Sequence, residues 1–148
     1  MTKNKFLVPP PFIFVFCAML MKFIPPIVSF PIYWWAIVAL GALALLISCW
    51  SIGQFLLART SINPLQLEKS SQLVSNGIYR FTRNPMYLSL VLVLFGWNLY
   101  LGSVGALFGV VIFVGYMSKV QIRAEEQMLH KLFGEDYQRY CQRVRRWL

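Results

Sequence analysis

The chain has 148 residues, of which 58% are hydrophobic, 16% are aromatic and only 13% are charged. A soluble domain of this size exposes too large a share of its surface to hide so much apolar material. The composition therefore excludes an ordinary soluble enzyme and predicts a single-domain, all-α integral membrane protein.

Basic residues outnumber acidic ones by 14 to 5, which gives a net charge of +9. Because they flank apolar runs, we expect them to anchor cytoplasmic segments and to attract anionic membrane lipids. No nucleic-acid-binding motif accompanies the charge, so no nucleic-acid partner is expected. Cys17, Cys49 and Cys141 form no CxxC or Cys/His cluster, and we predict neither a disulfide framework nor a metal site.

Four apolar runs predict four transmembrane helices. The first, about 12–26, is short for a span and contains Lys22. The second, about 32–58, is long enough to cross a hydrocarbon core of ~30 Å. The third and fourth, about 85–101 and 103–118, are separated only by a short turn and should form an antiparallel hairpin.

The basic residues also predict the orientation. They lie before the first run, in a polar loop over 59–84 that contains the turn signals Asn63-Pro64 and Asn76-Gly77, and in a tail over 119–148. The positive-inside rule makes all three segments cytoplasmic, so both termini should face the cytoplasm, in a bacterial inner membrane. In the tail we expect one helix ending near Gly134 and an amphipathic helix over 136–147.

The stretch SNGIYRFTRNPMYLS, residues 75–89, is the first candidate site. Asn84 suits an N-cap and Pro85 suits the first helical position, so free N–H groups and a positive dipole end should begin the third helix. Such an end favours a carboxylate or phosphate, and Arg83 would add a bidentate grip. The alternative is a plain helix entry with basic anchors and an interfacial tyrosine.

Two further clusters lie in the tail. Arg123 and His130 are spaced to pair with Glu126, but they leave Glu125 unexplained on an apolar stripe, where a carboxylate needs a partner or a cationic ligand. The second cluster favours an anchor for anionic lipids; its residues are Tyr137, Tyr140, Arg143, Arg145, Arg146 and Trp147. Together the clusters predict a cytoplasmic-face pocket for a zwitterionic or dipolar cofactor.

The segment NGIYRFTRNPMYLS, followed by RAEEQMLHKLFGEDYQRYCQRVRRWL, resembles the isoprenylcysteine carboxyl methyltransferase and phospholipid methyltransferase superfamily over about the last 90 residues. The resemblance implies an integral membrane methyltransferase that uses S-adenosylmethionine and releases S-adenosylhomocysteine. It implies cofactor-binding roles for Gly77, Tyr79, Arg83, Asn84, Pro85, Tyr87, Glu125 and Glu126, and catalytic roles for Arg83, Glu126 and Arg146.

The chain departs from the prenylcysteine enzymes at two positions. Asn84 stands where those enzymes carry histidine, and Arg145 replaces a proline of the tail. Both departures weaken the expectation of a prenylcysteine acceptor. We therefore expect methyl transfer to a lipophilic or membrane-associated small molecule at the cytoplasmic face. The alternatives are an NADPH-dependent membrane reductase on a related fold and a non-enzymatic lipid-binding membrane protein; the oligomeric state is not indicated.

Overall fold

The computed structural model describes residues 8–59 and 72–148. Within these ranges the regular elements are helices, and the extended pairing is limited to one isolated bridge between Ser29 and Ser103. The helices are α1 (Pro10–Phe23), α2 (Trp34–Leu57), α3 (Pro85–Leu101), α4 (Leu107–Tyr116) and α5 (Ile122–Arg143), with a 3₁₀-helix at Gly77–Arg80 and a π-helical turn at Met117–Gln121. The all-α prediction is thus confirmed for the described residues, whereas the Asn63-Pro64 turn lies outside them.

Helix α2 shows that lipid, not water, is the solvent of this chain. It has 24 residues, roughly 36 Å of helix, and only Ala44 and Ser51 are buried. Trp35 and Leu57 are 75% and 80% exposed. Soluble proteins rarely expose a continuous apolar surface of this extent, because each apolar group would be hydrated at a cost. The protein is therefore a membrane protein.

Within the described residues, two helices are long and apolar enough to cross a membrane: α2 and the 37-residue stretch Leu107–Arg143, which runs from α4 through the π-helical turn into α5. The apolar helices α1, with 14 residues, and α3, with 17, are too short to count as candidate spans by length. Helix α1 ends at Phe23 because Ile24, which precedes Pro25, is extended. Four complete spans thus stay a prediction.

The helices pack through small and hydroxyl residues. Helix α2 packs mainly against α3, where the Ser48 hydroxyl donates to Ser89 Oγ at 2.8 Å. Helix α1 packs against α4 at Gly109, where a Cβ would lie 2.2 Å from Met21 Cγ, so the close approach requires glycine. The buried core between α1, α3 and α4 includes Leu94.

The connection between α3 and α4 is longer than the predicted short turn. Helix α3 ends at Gly102 with φ +59°, but α4 begins only at Leu107. The segment between them pairs with the α1–α2 connection, since Val104 N–H donates to the Val28 carbonyl at 2.9 Å. At the opposite end, the π-helical turn adds a residue to the helix, a local change often found at functional sites.

Helix α5 is interrupted at Gly134, where φ is +50° and ψ is −120°. A residue with a side chain rarely adopts this conformation, so the predicted helix end at Gly134 has a structural counterpart. The last helical segment stops at Arg143 rather than at residue 147, because Val144 is extended. The remaining residues turn back along the start of α3.

Cys49 tests the membrane placement of α2. It is exposed and lies eight residues, roughly 12 Å, from the end of the helix. In a Cys17→Ala/Cys141→Ala variant in intact membranes, we expect a water-soluble maleimide to leave Cys49 unlabelled, because the reagent does not enter hydrocarbon. Labelling should appear after denaturation in detergent. Gln142→Cys on the same background, an exposed position in α5, is the control for reagent access, and rapid labelling of Cys49 would contradict the placement.

Candidate functional site

The start of α3 and the middle of α5 face each other across a cavity that encloses about 890 Å³, part of it continuous with solvent. Seven of the predicted site residues line it, although they come from segments about 40 positions apart in the chain: Tyr79, Arg83, Asn84, Pro85, Tyr87, Glu125 and Glu126. The fold therefore brings the two predicted clusters together at one place.

The tail holds the entry to α3. Arg83 N–H donates to the Arg145 carbonyl at 3.0 Å, and Asn84 Nδ2 donates to the Arg146 carbonyl at 2.8 Å. Asn84 thus occupies the predicted N-cap position, but its side chain makes no capping bond and instead donates to the tail. The first turn of α3 consequently presents N–H groups without a side-chain cap beside the cavity.

Glu126 is held by two arginines. Its carboxylate accepts hydrogen bonds from Arg146, with Nε at 3.0 Å, and forms an ion pair with Arg83, whose Nη1 lies 3.0 Å from Oε1. The Arg83 and Glu126 side chains are only 16% and 19% exposed. Arg83 NH1 also donates to Cys141 Sγ at 2.8 Å, whereas buried Arg83 Nε has no hydrogen-bond partner among the described residues. Glu126 is therefore already neutralised, and the cluster retains an excess positive charge.

Glu125 has a different environment from its neighbour. Its Oε1 accepts from the Tyr87 hydroxyl at 2.5 Å and from Gln121 Nε2 at 2.6 Å, and no ion pair involves it within the described ranges. Burial raises the pKa of Glu125 to about 7, and the charge of Glu126 acts in the same direction, while the two hydrogen bonds oppose them. A titratable, unneutralised carboxyl thus lines the cavity.

Aromatic side chains form the opposite wall. The Tyr79 and Ser51 hydroxyls are 2.6 Å apart, the Tyr140 hydroxyl donates to the Tyr79 carbonyl at 2.7 Å, and the Phe55 ring meets Tyr79 edge-on at 5.5 Å. Burial raises the pKa of the Tyr79 and Tyr140 phenols, so both stay neutral at physiological pH. Neutral aromatic faces favour a nearby cation and can stack against a planar ring.

Two predicted site residues do not line the cavity: Gly77, expected to bind the cofactor, and Arg146, expected to be catalytic. Gly77 acts through its backbone: φ is +59°, and a Cβ there would lie 2.6 Å from Gln54 Cδ. Arg146 lines a neighbouring groove and reaches the site through Glu126. The tail is fixed there by Trp147, whose indole N–H donates to Ser118 Oγ at 3.0 Å. Both residues therefore support the cavity from outside it.

Other residues of the cavity or its surroundings were not predicted as cofactor-site residues. Gln121 lies one helical turn before Glu125, so a search for hydrogen-bonding neighbours four positions away would have found it. Phe55 is one of many aromatic residues of an apolar run and carries no local signal. Tyr137 and Tyr140, expected among the lipid anchors, are instead buried against the cavity.

Removing the Glu126 charge should destabilise the protein. In Glu126→Gln, Arg83 and Arg146 would face each other without a counter-charge, and we expect a loss of about 2 kcal/mol in the free energy of unfolding, measured by detergent-induced unfolding. Asp136→Asn is the matched control, because its pair with Arg139 is largely exposed and should contribute little. Equal losses in the two variants would show that the Glu126 cluster does not stabilise the fold.

Glu125 should make stability depend on pH. The folded state keeps the proton up to about pH 7, whereas the unfolded chain releases it near the ordinary value of 4.5. The contribution of Glu125 to the free energy of unfolding is therefore complete below pH 4.5. It decreases by on the order of 3 kcal/mol as the pH rises to about 7, and it is constant above that pH. Unfolding of wild type and Glu125→Gln at several pH values measures this difference; identical slopes would contradict it.

Comparison with known proteins agrees with the geometry. An uncharacterized protein of Haemophilus influenzae is 51% identical over 63 residues, which are 43% of this chain and the whole of that protein. No solved structure matches the chain. The family model described as phospholipid methyltransferase matches residues 31–136, which include α2, α3, α4 and both glutamates of the site. The chain therefore belongs to the phospholipid methyltransferase family, a family of membrane methyltransferases.

Proposed function

We propose that the protein is an S-adenosylmethionine-dependent methyltransferase that acts on a lipophilic acceptor. One observation carries the proposal: a single cavity contains both an unneutralised carboxyl, that of Glu125, and unpaired donors for an anion. A zwitterionic ligand needs both: an acceptor for its ammonium group and hydrogen-bond donors for its carboxylate. Family membership supplies the reaction class, and the side chains of the cavity support the choice of cofactor.

The side chains and backbone groups of the cavity match the chemical groups of the cofactor one by one. Glu125 would accept hydrogen bonds from the ammonium group, since it has no cation of its own among the described residues. Arg83 Nε and the uncapped first turn of α3 would hold the carboxylate. Tyr79 and Phe55 would contact the adenine ring and the sulfonium charge. When bound, the cofactor supplies a methyl group on sulfur that is open to attack by a nucleophile.

Glu126 and Arg146 have an indirect role in this proposal. Their ion pair fixes Arg83 and the tail, so they position the groups that touch the ligand rather than touching it themselves. A methyl transfer of this kind needs alignment and exclusion of water more than it needs a strong base. The buried tyrosine wall and the apolar lining from Ile122 and Leu129 would exclude water.

The acceptor should approach from the bilayer. Phe55, at the end of the lipid-exposed helix α2, and Met86, in the first turn of α3, both line the cavity. An apolar molecule could thus reach the cavity without leaving the lipid. We further propose that the cavity opens to the cytoplasm of a bacterial cell, that the protein lies in the inner membrane with both termini inside, and that anionic lipids surround it.

The proposal predicts binding of S-adenosylhomocysteine to purified protein at micromolar concentration in isothermal titration calorimetry. Glu125→Gln should weaken binding roughly tenfold, because a charge-assisted hydrogen bond is lost. Glu135→Gln, which removes an exposed carboxylate elsewhere on α5, should bind like wild type. In wild type, but not in Glu125→Gln, binding should be tighter at pH 8 than at pH 6, because Glu125 is ionised at pH 8.

Folded protein that binds no S-adenosylhomocysteine would contradict the proposal. Stabilisation by NADPH in its place would favour the reductase alternative. Incubation of membrane lipid extracts with the methyl-labelled cofactor, followed by mass spectrometry of the labelled product, would then identify the acceptor.

A further inference from the structure

A second groove lies on the far side of Glu126 and is open to solvent. With the adjoining solvent space it encloses about 1030 Å³. Lys119, Arg123, Gln127 and His130 form one side of it, at the spacing of a single helical face, and Arg146 contributes from the tail. We call this feature the basic groove.

The charges of the basic groove are unbalanced. Its lining has four permanent cations, Lys119, Arg123, Arg83 and Arg146, and one carboxylate, Glu126. That carboxylate is already bound by two of the arginines. Lys119 and Arg123 are exposed and form no ion pair with any residue of the described ranges. Several like charges in one concave surface attract an anion. The carboxylate of the groove cannot serve as that anion, because it is already paired with Arg83 and Arg146.

The position of the groove indicates where the anion comes from. The apolar helix α4 ends at Tyr116, and Lys119 follows three residues later, roughly 4.5 Å along the helix axis. Val120, next to it, is exposed, so apolar and cationic side chains meet at the same level. This is the depth at which lipid phosphates lie, and basic clusters directly beyond a span are typical of anionic-lipid binding.

We propose that the basic groove binds the phosphate group of an anionic membrane lipid, with Lys119 and Arg123 as its principal contacts. The Arg83–Glu126–Arg146 cluster separates this lipid from the cavity assigned to methyl transfer, because Arg83 and Glu126 line both spaces. The lipid is therefore a bound component of the cytoplasmic surface and not the occupant of the cavity. The proposal does not rest on the proposed function, since it concerns binding alone.

The test uses the full chain in phosphatidylcholine nanodiscs, to which short-chain phosphatidylglycerol is added and the bound lipid is counted by native mass spectrometry. We expect Lys119→Gln/Arg123→Gln to weaken phosphatidylglycerol binding at least roughly tenfold, since each basic residue near the surface contributes to lipid attraction. Lys131→Gln/Arg139→Gln removes the same charge from exposed positions of α5 outside the groove and should bind like wild type. Lys119→Arg/Arg123→Lys should also retain binding.

Three results would overturn the proposal. Equal weakening in both double Gln variants would show that only the net charge matters. Equal thermal stabilisation by inorganic phosphate and by phosphatidylglycerol would show that the anion is soluble rather than lipidic. Loss of S-adenosylhomocysteine binding in Lys119→Gln/Arg123→Gln would assign the groove to the cofactor. If wild type binds no S-adenosylhomocysteine, the lipid measurements still decide the proposal, and only the proposed function fails.

Discussion

The ion pairs of Glu126 connect three separate parts of the chain. Arg83 comes from the entry to α3, Glu126 from α5 and Arg146 from the tail. Two hydrogen bonds to carbonyls of the tail, from Arg83 N–H and from Asn84 Nδ2, also hold the tail beside the entry segment. The cavity, the groove behind it and the course of the tail all depend on this one carboxylate. Because the arginines exceed it in charge, the same interaction leaves positive potential on both of its sides.

Lipid explains why the polar chemistry is concentrated at one end of the helices. Within hydrocarbon, a backbone or side-chain polar group must find its partner inside the protein, and α2 and α3 satisfy this with a hydroxyl pair, Ser48 and Ser89. Irregular backbone is tolerated only where it is buried in protein or meets water. The 3₁₀-helix, the uncapped start of α3 and the extended tail all lie together at such a boundary. On the proposed function, the soluble cofactor and the lipophilic acceptor would meet at this boundary.

Local patterns predicted the parts of the fold that local physics determines. The start of α3 at Pro85 and its end at Leu101 follow from a proline at the first helical position and a glycine after the last one, and the break at Gly134 follows from its positive φ. The course of the tail back along α3 could not be predicted. The sequence pattern of residues 144–147 is that of a helix, whereas hydrogen bonds to distant residues hold this segment outside the helix. The π-helical turn and the contribution of Phe55 also depend on packing between distant segments.

Glu125 and Glu126 show which part of the site a sequence pattern cannot predict. Glu125 and Glu126 differ by one position, about 100° around the helix, and both matched the same motif. One meets two arginines and becomes part of the framework; the other meets Tyr87 and Gln121, which donate hydrogen bonds but bring no charge. The cost of burying the second carboxylate is therefore only partly offset by these two hydrogen bonds. A ligand with an ammonium group would offset more of that cost, and part of its affinity would come from this. This difference, and not the pairing of two glutamates as such, makes Glu125 the position at which cofactor recognition should be sought.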